Sequence, residues 1–120
     1  MNKTLLFVYG TLKRGLASHH LISDQEFVGE ATTMPLYRLY GVSWHPGMVP
    51  DRENGLDIRG ELWLVDAECL AKLDEFEGVP DSFVRSEVVV RDTFQPVQAY
   101  FYNLSIPPDC PSGGEWPLPS

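Results

Sequence analysis

Two groups in this chain have the residue types and spacing to do chemistry. The first is Glu77, which closes the run DAECLAKLDEFE at 66–77. On a helical wheel at about 100° per residue, with Leu70 at zero, Leu73 falls near 300° and Glu77 near 340°. Cys69 and Phe76 extend this apolar arc on one side, and Ala67 and Ala71 on the other. Glu68, Lys72 and Glu75 take the solvated face, and Asp74 lies toward the edge of the stripe. A carboxylate aimed at a core is costly unless it is paired or used. Burial and the negative end of the helix would both raise its pKa, which suits a base that later acts as an acid. The wheel leaves two readings open. Either Glu77 is such an acid/base, or the last turn frays and Glu77 bends to water or pairs with Arg85.

The second group is the loop in LLFVYGTLKRG, residues 5–15. A glycine-hinged loop after an apolar strand can point several N–H groups at one anionic group. Gly10-x4-Gly15 resembles the start of a phosphate-binding loop, but that motif continues with Lys and then Ser or Thr. Leu16 and Ala17 stand there instead, which excludes nucleoside triphosphate binding. Taken alone, the loop reads as a tight turn, with Gly10 supplying an unusual backbone conformation.

Other chemical side chains have plainer readings. Arg85 is read as a surface charge, with Glu87 or Glu77 as alternative partners. Tyr9 either contacts a ligand or fills a strand end. Lys13 and Arg14 read as solvated loop charges, with attraction of a carboxylate at a cavity rim as the alternative, and Asp74 as support for the helix surface. Trp44 either lines a cavity wall or fills the core, and the core is the preferred reading. His19 and His20 are adjacent and their side chains diverge; with His45 distant in sequence, a metal triad is not expected. Ser18-His19 lacks the strand–turn–helix context of a nucleophile elbow.

The elements around these groups are mostly strands. Strands are expected over Thr4–Tyr9, Glu26–Ala31, Pro35–Tyr40, Ile58–Val65, Phe83–Val90 and Val97–Leu104. A short helical turn is expected at His19–Ile22. Residues 44–54 hold two prolines and a glycine and read as loop with a brief extended piece. Asp66 offers an N-cap, and Gly78 before Pro80 a stop, so 67–77 is the one convincing helix. Consecutive strands are separated mostly by turns, which favours an antiparallel sheet, curled or closed, over a doubly wound α/β fold. The expected organisation is one domain over 1–120, with a proline-rich tail from about 105 that either hangs free or is pinned by Trp116.

The length of 120 residues suits one domain with a core of its own, and 43% apolar and 12% aromatic residues exclude a disordered chain. The net charge of −8, with no basic run longer than Lys13-Arg14, disfavours nucleic acid and anionic membranes as partners. No run reaches membrane-spanning length, and the amino end lacks a signal-peptide core. Cys69 and Cys110 have no metal-ligand spacing and are expected as free thiols in a cytoplasmic protein.

In combination the segments resemble the γ-glutamylcyclotransferase family, with its AIG2-like and γ-glutamylamine cyclotransferase branches. The resemblance rests on FVYGTLKRG (7–15) with Ser18-His19-His20, YGVSWHPGMVP (40–50), IRGELWLVD (58–66), LDEFEGVPDSFVRSEVVV (73–90) and, more loosely, SGGEW (112–116). It implies an α+β fold: a small barrel-like, mostly antiparallel mixed sheet with one main helix and short flanking helices. It implies conversion of a γ-glutamyl amine or γ-glutamyl peptide to 5-oxoproline and free amine, without metal or organic cofactor. Glu77 would be the acid/base, and Tyr9, Gly10, Thr11 and Leu12 would line the substrate cavity together with Phe83. Relatives often carry Tyr at the position of Phe83, so an orienting hydroxyl is missing here. The expected partner is a small γ-glutamyl substrate, bound by a monomer. The alternatives are a non-catalytic metabolite-binding module on the same fold, or a related acyl-releasing enzyme of a biosynthetic pathway.

Overall fold

The computed structural model describes residues 2–118. Its strands are β1 (Lys3–Val8), β2 (Glu26–Thr32), β3 (Tyr37–Tyr40), β4 (Gly47–Pro50), β5 (Arg59–Asp66), β6 (Phe83–Glu87), β7 (Gln98–Tyr102) and β8 (Ser112–Gly113). The α-helix α1 runs Ala67–Glu77, and His19–Leu21 forms one 3₁₀ turn. Five strands form a mixed sheet in the order β2-β5-β1-β7-β6, and β4-β3-β8 form a second sheet. Among the described residues β1 and β7 pair in parallel and every other strand pairing is antiparallel. The sheets lie against each other as open layers without closing into one barrel.

The alternation along β1 explains the layering. Side chains alternate across a strand, so Leu5, Phe7 and Tyr9 face one way and Leu6 and Val8 the other. The first set joins Leu39 and Met48 of the small sheet in one core, with Ile58 and Leu62 before and within β5. The second set meets Leu70 and Leu73 of α1, together with Ile22 and Trp63. The central strands are thus buried on both faces, between the small sheet on one side and α1 on the other.

The helix ends as its sequence directs. Asp66 caps the start, its carboxylate accepting from the Cys69 N–H at 2.8 Å, a bond worth about 1 kcal/mol. At the other end Gly78 takes a left-handed φ of 71°. The Val79 N–H reaches Asp74 O at 2.9 Å and the Gly78 N–H reaches Glu75 O at 3.1 Å, the paired bonds of a Schellman cap. Val79 then packs onto the helix-side core. This cap holds the last turn closed, so Glu77 does not fray into solvent. Ala67, Ala71 and Phe76, placed beside the apolar arc by the wheel, are exposed; the helix buries only Cys69, Leu70 and Leu73.

The segment after Leu104 is docked. Ser112 and Gly113 pair with Tyr40 and Leu39, Trp116 packs on the inter-sheet core, and Lys13 Nζ donates to the Trp116 carbonyl. Both cysteines are free thiols. No helix among the described residues is long and apolar enough to cross a membrane.

Candidate active site

A cavity of about 290 Å³ opens where β1 and α1 both end. The loop after β1 forms one wall, with Tyr9, Gly10, Thr11 and Leu12. The end of α1 brings Glu77, and β6 brings Phe83. All six residues expected to line a site therefore meet in one cavity. Residues 42–46 close it from the side of the small sheet, and β7 contributes Tyr100 and Tyr102.

Glu77 is partly buried, and its carboxylate accepts no hydrogen bond and joins no ion pair among the described residues. Desolvation pushes its pKa up to about 7. Arg85, the alternative partner, is already engaged. Its Nε and Nη2 donate to the two Asp74 oxygens at 2.8 and 2.9 Å, and Nη1 donates to Gln98 Oε1. The Tyr100 hydroxyl donates to Asp74 at 2.7 Å. Asp74 and Arg85 are thus not loose surface charges: they tie α1 to β6 and β7. The Arg85 bonds hold the Asp74 carboxyl below its ordinary range against the opposing effect of burial, with the Tyr100 bond helping.

Tyr9 is both a wall of the cavity and a strut. Its hydroxyl donates to Tyr100 O at 2.6 Å and accepts from the Met48 N–H at 3.3 Å. Burial raises its pKa, and the nearby Glu77 charge adds to the rise.

The loop is held from behind. Glu61 is buried and accepts from the Arg14 N–H and Nε, each at 3.1 Å, and from Trp63 Nε1 at 3.1 Å. Burial pushes the Glu61 pKa up, but these three bonds outweigh it and leave the pKa lowered. The Arg14 guanidinium also lies 3.8 Å over the Phe27 ring. Thr11 Oγ1 donates to the buried Ser18 at 3.0 Å, and the Ser18 N–H returns to Thr11 O at 2.9 Å. His19 bonds the Leu12 carbonyl through Nδ1 at 2.9 Å and packs against Trp63. Lys13 and Arg14, read as solvated, are therefore both committed to protein partners and do not line the cavity. The N–H groups of Thr11 and Leu12 donate to no protein acceptor among the described residues.

Gly10 has no left-handed backbone; the positive φ of the loop belongs to Gly15, at 82°. Gly10 is a glycine because the 42–46 segment passes close by. A Cβ there would sit 2.8 Å from Pro46 Cγ.

Trp44, for which the sequence favours the core, is 61% exposed and forms part of the cavity rim. His45 stacks edge-on to Trp44 and lies 5.9 Å from the Phe83 ring centre. Phe83 is buried and packs T-shaped on Tyr102, its register partner on β7. Tyr100, Tyr102 and Ser82 are cavity residues that the sequence reading did not single out. The pairing of β7 with β6 on one side and β1 on the other places the two tyrosines there. Among the described residues no group of three His, Cys, Asp or Glu side chains is placed to hold a metal ion.

Comparison with known proteins gives the family and the fold. The family described as gamma-glutamyl cyclotransferase, AIG2-like, matches residues 6–118. The chain belongs to that family. It is similar to the gamma-glutamylaminecyclotransferase of Bos taurus, 32% identical over 112 residues that cover 86% of this chain and 67% of the bovine protein. The Rattus norvegicus gamma-glutamylaminecyclotransferase is 36% identical over 93 residues, 72% of this chain and 62% of that one. In structure it is similar to an AIG2-like protein from Mus musculus, with a TM-score of 0.79 and 26% identity, covering 97% of this chain and 89% of the other. A uropathogenic E. coli-specific protein superimposes with a TM-score of 0.81 and 27% identity, over 97% and 94% of the two chains.

Proposed function

We propose that this protein converts a γ-glutamyl amine or short γ-glutamyl peptide into 5-oxoproline and the free amine, with Glu77 as the proton carrier. The observation that supports this most is Glu77 itself: an unpaired carboxylate in a cavity wall, held near neutral pKa by desolvation. Such a group takes and returns a proton at physiological pH without a large penalty either way.

The substrate brings its own nucleophile. Glu77 takes a proton from the α-ammonium, and the freed amine attacks the γ-carbonyl carbon to close a five-membered ring. The former amide C–N bond then breaks as its nitrogen is protonated. Of the three ammonium protons, one stays on the lactam nitrogen and two end on the departing amine, so no water is consumed. Most of the acceleration in such a reaction comes from folding the chain so that amine and carbonyl meet. The Tyr9–Leu12 loop and Phe83 supply that mould. The unpaired Thr11 and Leu12 N–H groups are suited to the α-carboxylate or to the oxyanion that forms at the γ-carbon.

The test is product analysis. Incubation with a panel of γ-glutamyl amines and dipeptides should yield 5-oxoproline, and Glu77→Gln, folded by circular dichroism, should not. Free glutamate in place of 5-oxoproline would mean hydrolysis. Equal turnover by the folded variant would remove Glu77 from the mechanism.

A further inference from the structure

Resting on that reading, we propose that the leaving amine carries an apolar group, aromatic or branched alkyl, and no carboxylate. The cavity has two unlike ends. The inner end holds Glu77 and the loop amides, among buried Tyr9, Leu12, Phe83 and Tyr100. The outer end is rimmed by Trp44, Phe76 and Leu104, which are 61%, 44% and 53% exposed. These are three of the large apolar side chains that the fold leaves in water, and all three surround one opening. The γ-glutamyl head needs the inner end, where the proton carrier lies, so the leaving group projects past the rim. Apolar surface there is covered only when a ligand covers it.

The charges exclude an acidic leaving group. Among the described residues the cavity wall contains no Lys or Arg. The nearest basic side chains in sequence are turned elsewhere: Lys13 to the Trp116 carbonyl, Arg14 to Glu61, and Arg85 to Asp74. Glu77 is itself an acid, and the C-terminal end of α1 presents the negative end of its dipole to the same space. The two free loop amides are already taken by the glutamyl head, for its α-carboxylate or its oxyanion. A second carboxylate, as in any γ-glutamyl amino acid, would be desolvated at the rim without a partner. Among the described residues His45 is the wall's one imidazole; it lies edge-on to Trp44 and tilted against Phe83, with Nδ1 3.3 Å from the Pro46 carbonyl.

The decisive pair is γ-glutamyl-phenethylamide and γ-glutamyl-phenylalanine, which differ only by the carboxylate on the leaving amine. At pH 8 kcat/KM should favour the phenethylamide by about tenfold or more, the effect of one unpaired charge at a partly exposed site. Calorimetric Kd values on the same wild-type protein should fall in the same order. Trp44→Ala should shrink the preference for phenethylamide over γ-glutamyl-methylamide severalfold. Equal or reversed order within the decisive pair, or no binding of either compound, overturns the proposal whether or not product forms. Binding in the expected order with no 5-oxoproline from any substrate overturns cyclisation and leaves the selectivity standing.

Discussion

Asp74 and Glu77 lie one turn apart on the same helix and meet opposite fates. Asp74 accepts three hydrogen bonds, two from Arg85 and one from Tyr100, and its pKa falls. Glu77 accepts none among the described residues, and desolvation lifts its pKa to about 7. The residue types are nearly the same, and so is the local helix. The difference lies in what the sheet offers each: β6 and β7 present donors to Asp74, while an aromatic-walled cavity faces Glu77. One carboxylate is spent on fixing the end of the helix, and the other is thereby held where solvent cannot fully reach it. In the proposed reaction Asp74 is a positioning residue and Glu77 the proton carrier.

Breaking the reactive side should have the largest effect. Glu77→Gln keeps the shape and removes the proton carrier, so kcat should fall by roughly 10²–10⁴-fold, the usual worth of a general acid/base. In the wild type kcat/KM should rise with pH through about 7, because only the ionised Glu77 can accept the ammonium proton. A pH–rate profile flat between 6 and 8 would contradict this assignment.

The same substitution should change stability in the opposite sense. Glu77 has a folded pKa of about 7 against about 4.3 in an unfolded chain. Below the unfolded value the group is protonated in both states and costs nothing. As pH rises from there to 7 the unfolded chain ionises first, and folding loses stability on the order of 3 kcal/mol. Denaturant titrations at pH 4.5 and 8 should show this loss in the wild type and not in Glu77→Gln. At pH 8 the variant should then be the more stable protein.

How much of this contrast could be read from the chain depends on the range of the contacts involved. The helix from 67 to 77 was legible because its signals are local: Asp66 before it, Gly78 after it, and a 3.6-residue apolar repeat between. The same repeat puts Glu77 in the apolar stripe but leaves open whether it frays or pairs with Arg85; the Gly78 cap and the Arg85–Asp74 pair decide that. The partner of Asp74 was not legible, because Arg85 and Tyr100 reach it from 11 and 26 residues away through the β6–β7 hairpin. Their bonds depend on strand register, which no short window encodes. Gly10 shows the same limit: its spacing is visible, but its reason is Pro46, 36 positions on. For Trp44 the chain offers core or cavity wall and favours the core, whereas the fold uses it at an opening. The strand of Ser112 and Gly113 is too short, and too rich in turn formers, to declare itself.

Breaking the positioning side should cost less than removing Glu77 and act through it. Asp74→Asn leaves the Arg85 guanidinium half-buried with a neutral partner. Removing one member of a partly buried ion pair should destabilise the fold by about 2 kcal/mol, below the range for fully buried pairs. This stabilisation has the opposite pH dependence to that of Glu77: it is present above the ordinary carboxylate range and is lost as pH falls below it, because the folded pKa is depressed. In Asp74→Asn the end of α1 loosens and more water reaches Glu77. The midpoint of the pH–rate profile should therefore move down from about 7 toward the ordinary carboxylate value. A purely structural role for Asp74 would lower stability and leave that midpoint in place.

Tyr100→Phe makes the smallest cut, removing one of the three donors and nothing else from the wall. The loss in stability should be about 1 kcal/mol, the net worth of one such bond. Two effects on the titrations can be separated. The Asp74 carboxyl loses a bond to its charged form, so its pKa should rise. The Glu77 pKa should hold near 7, since its rise comes from desolvation and Phe is as apolar as the ring it replaces. Carboxyl ¹³C titration of the two residues reads both at once. If Glu77 shifts with Asp74, the two carboxylates titrate as a coupled pair, and the division of labour along the helix gives way to one shared site.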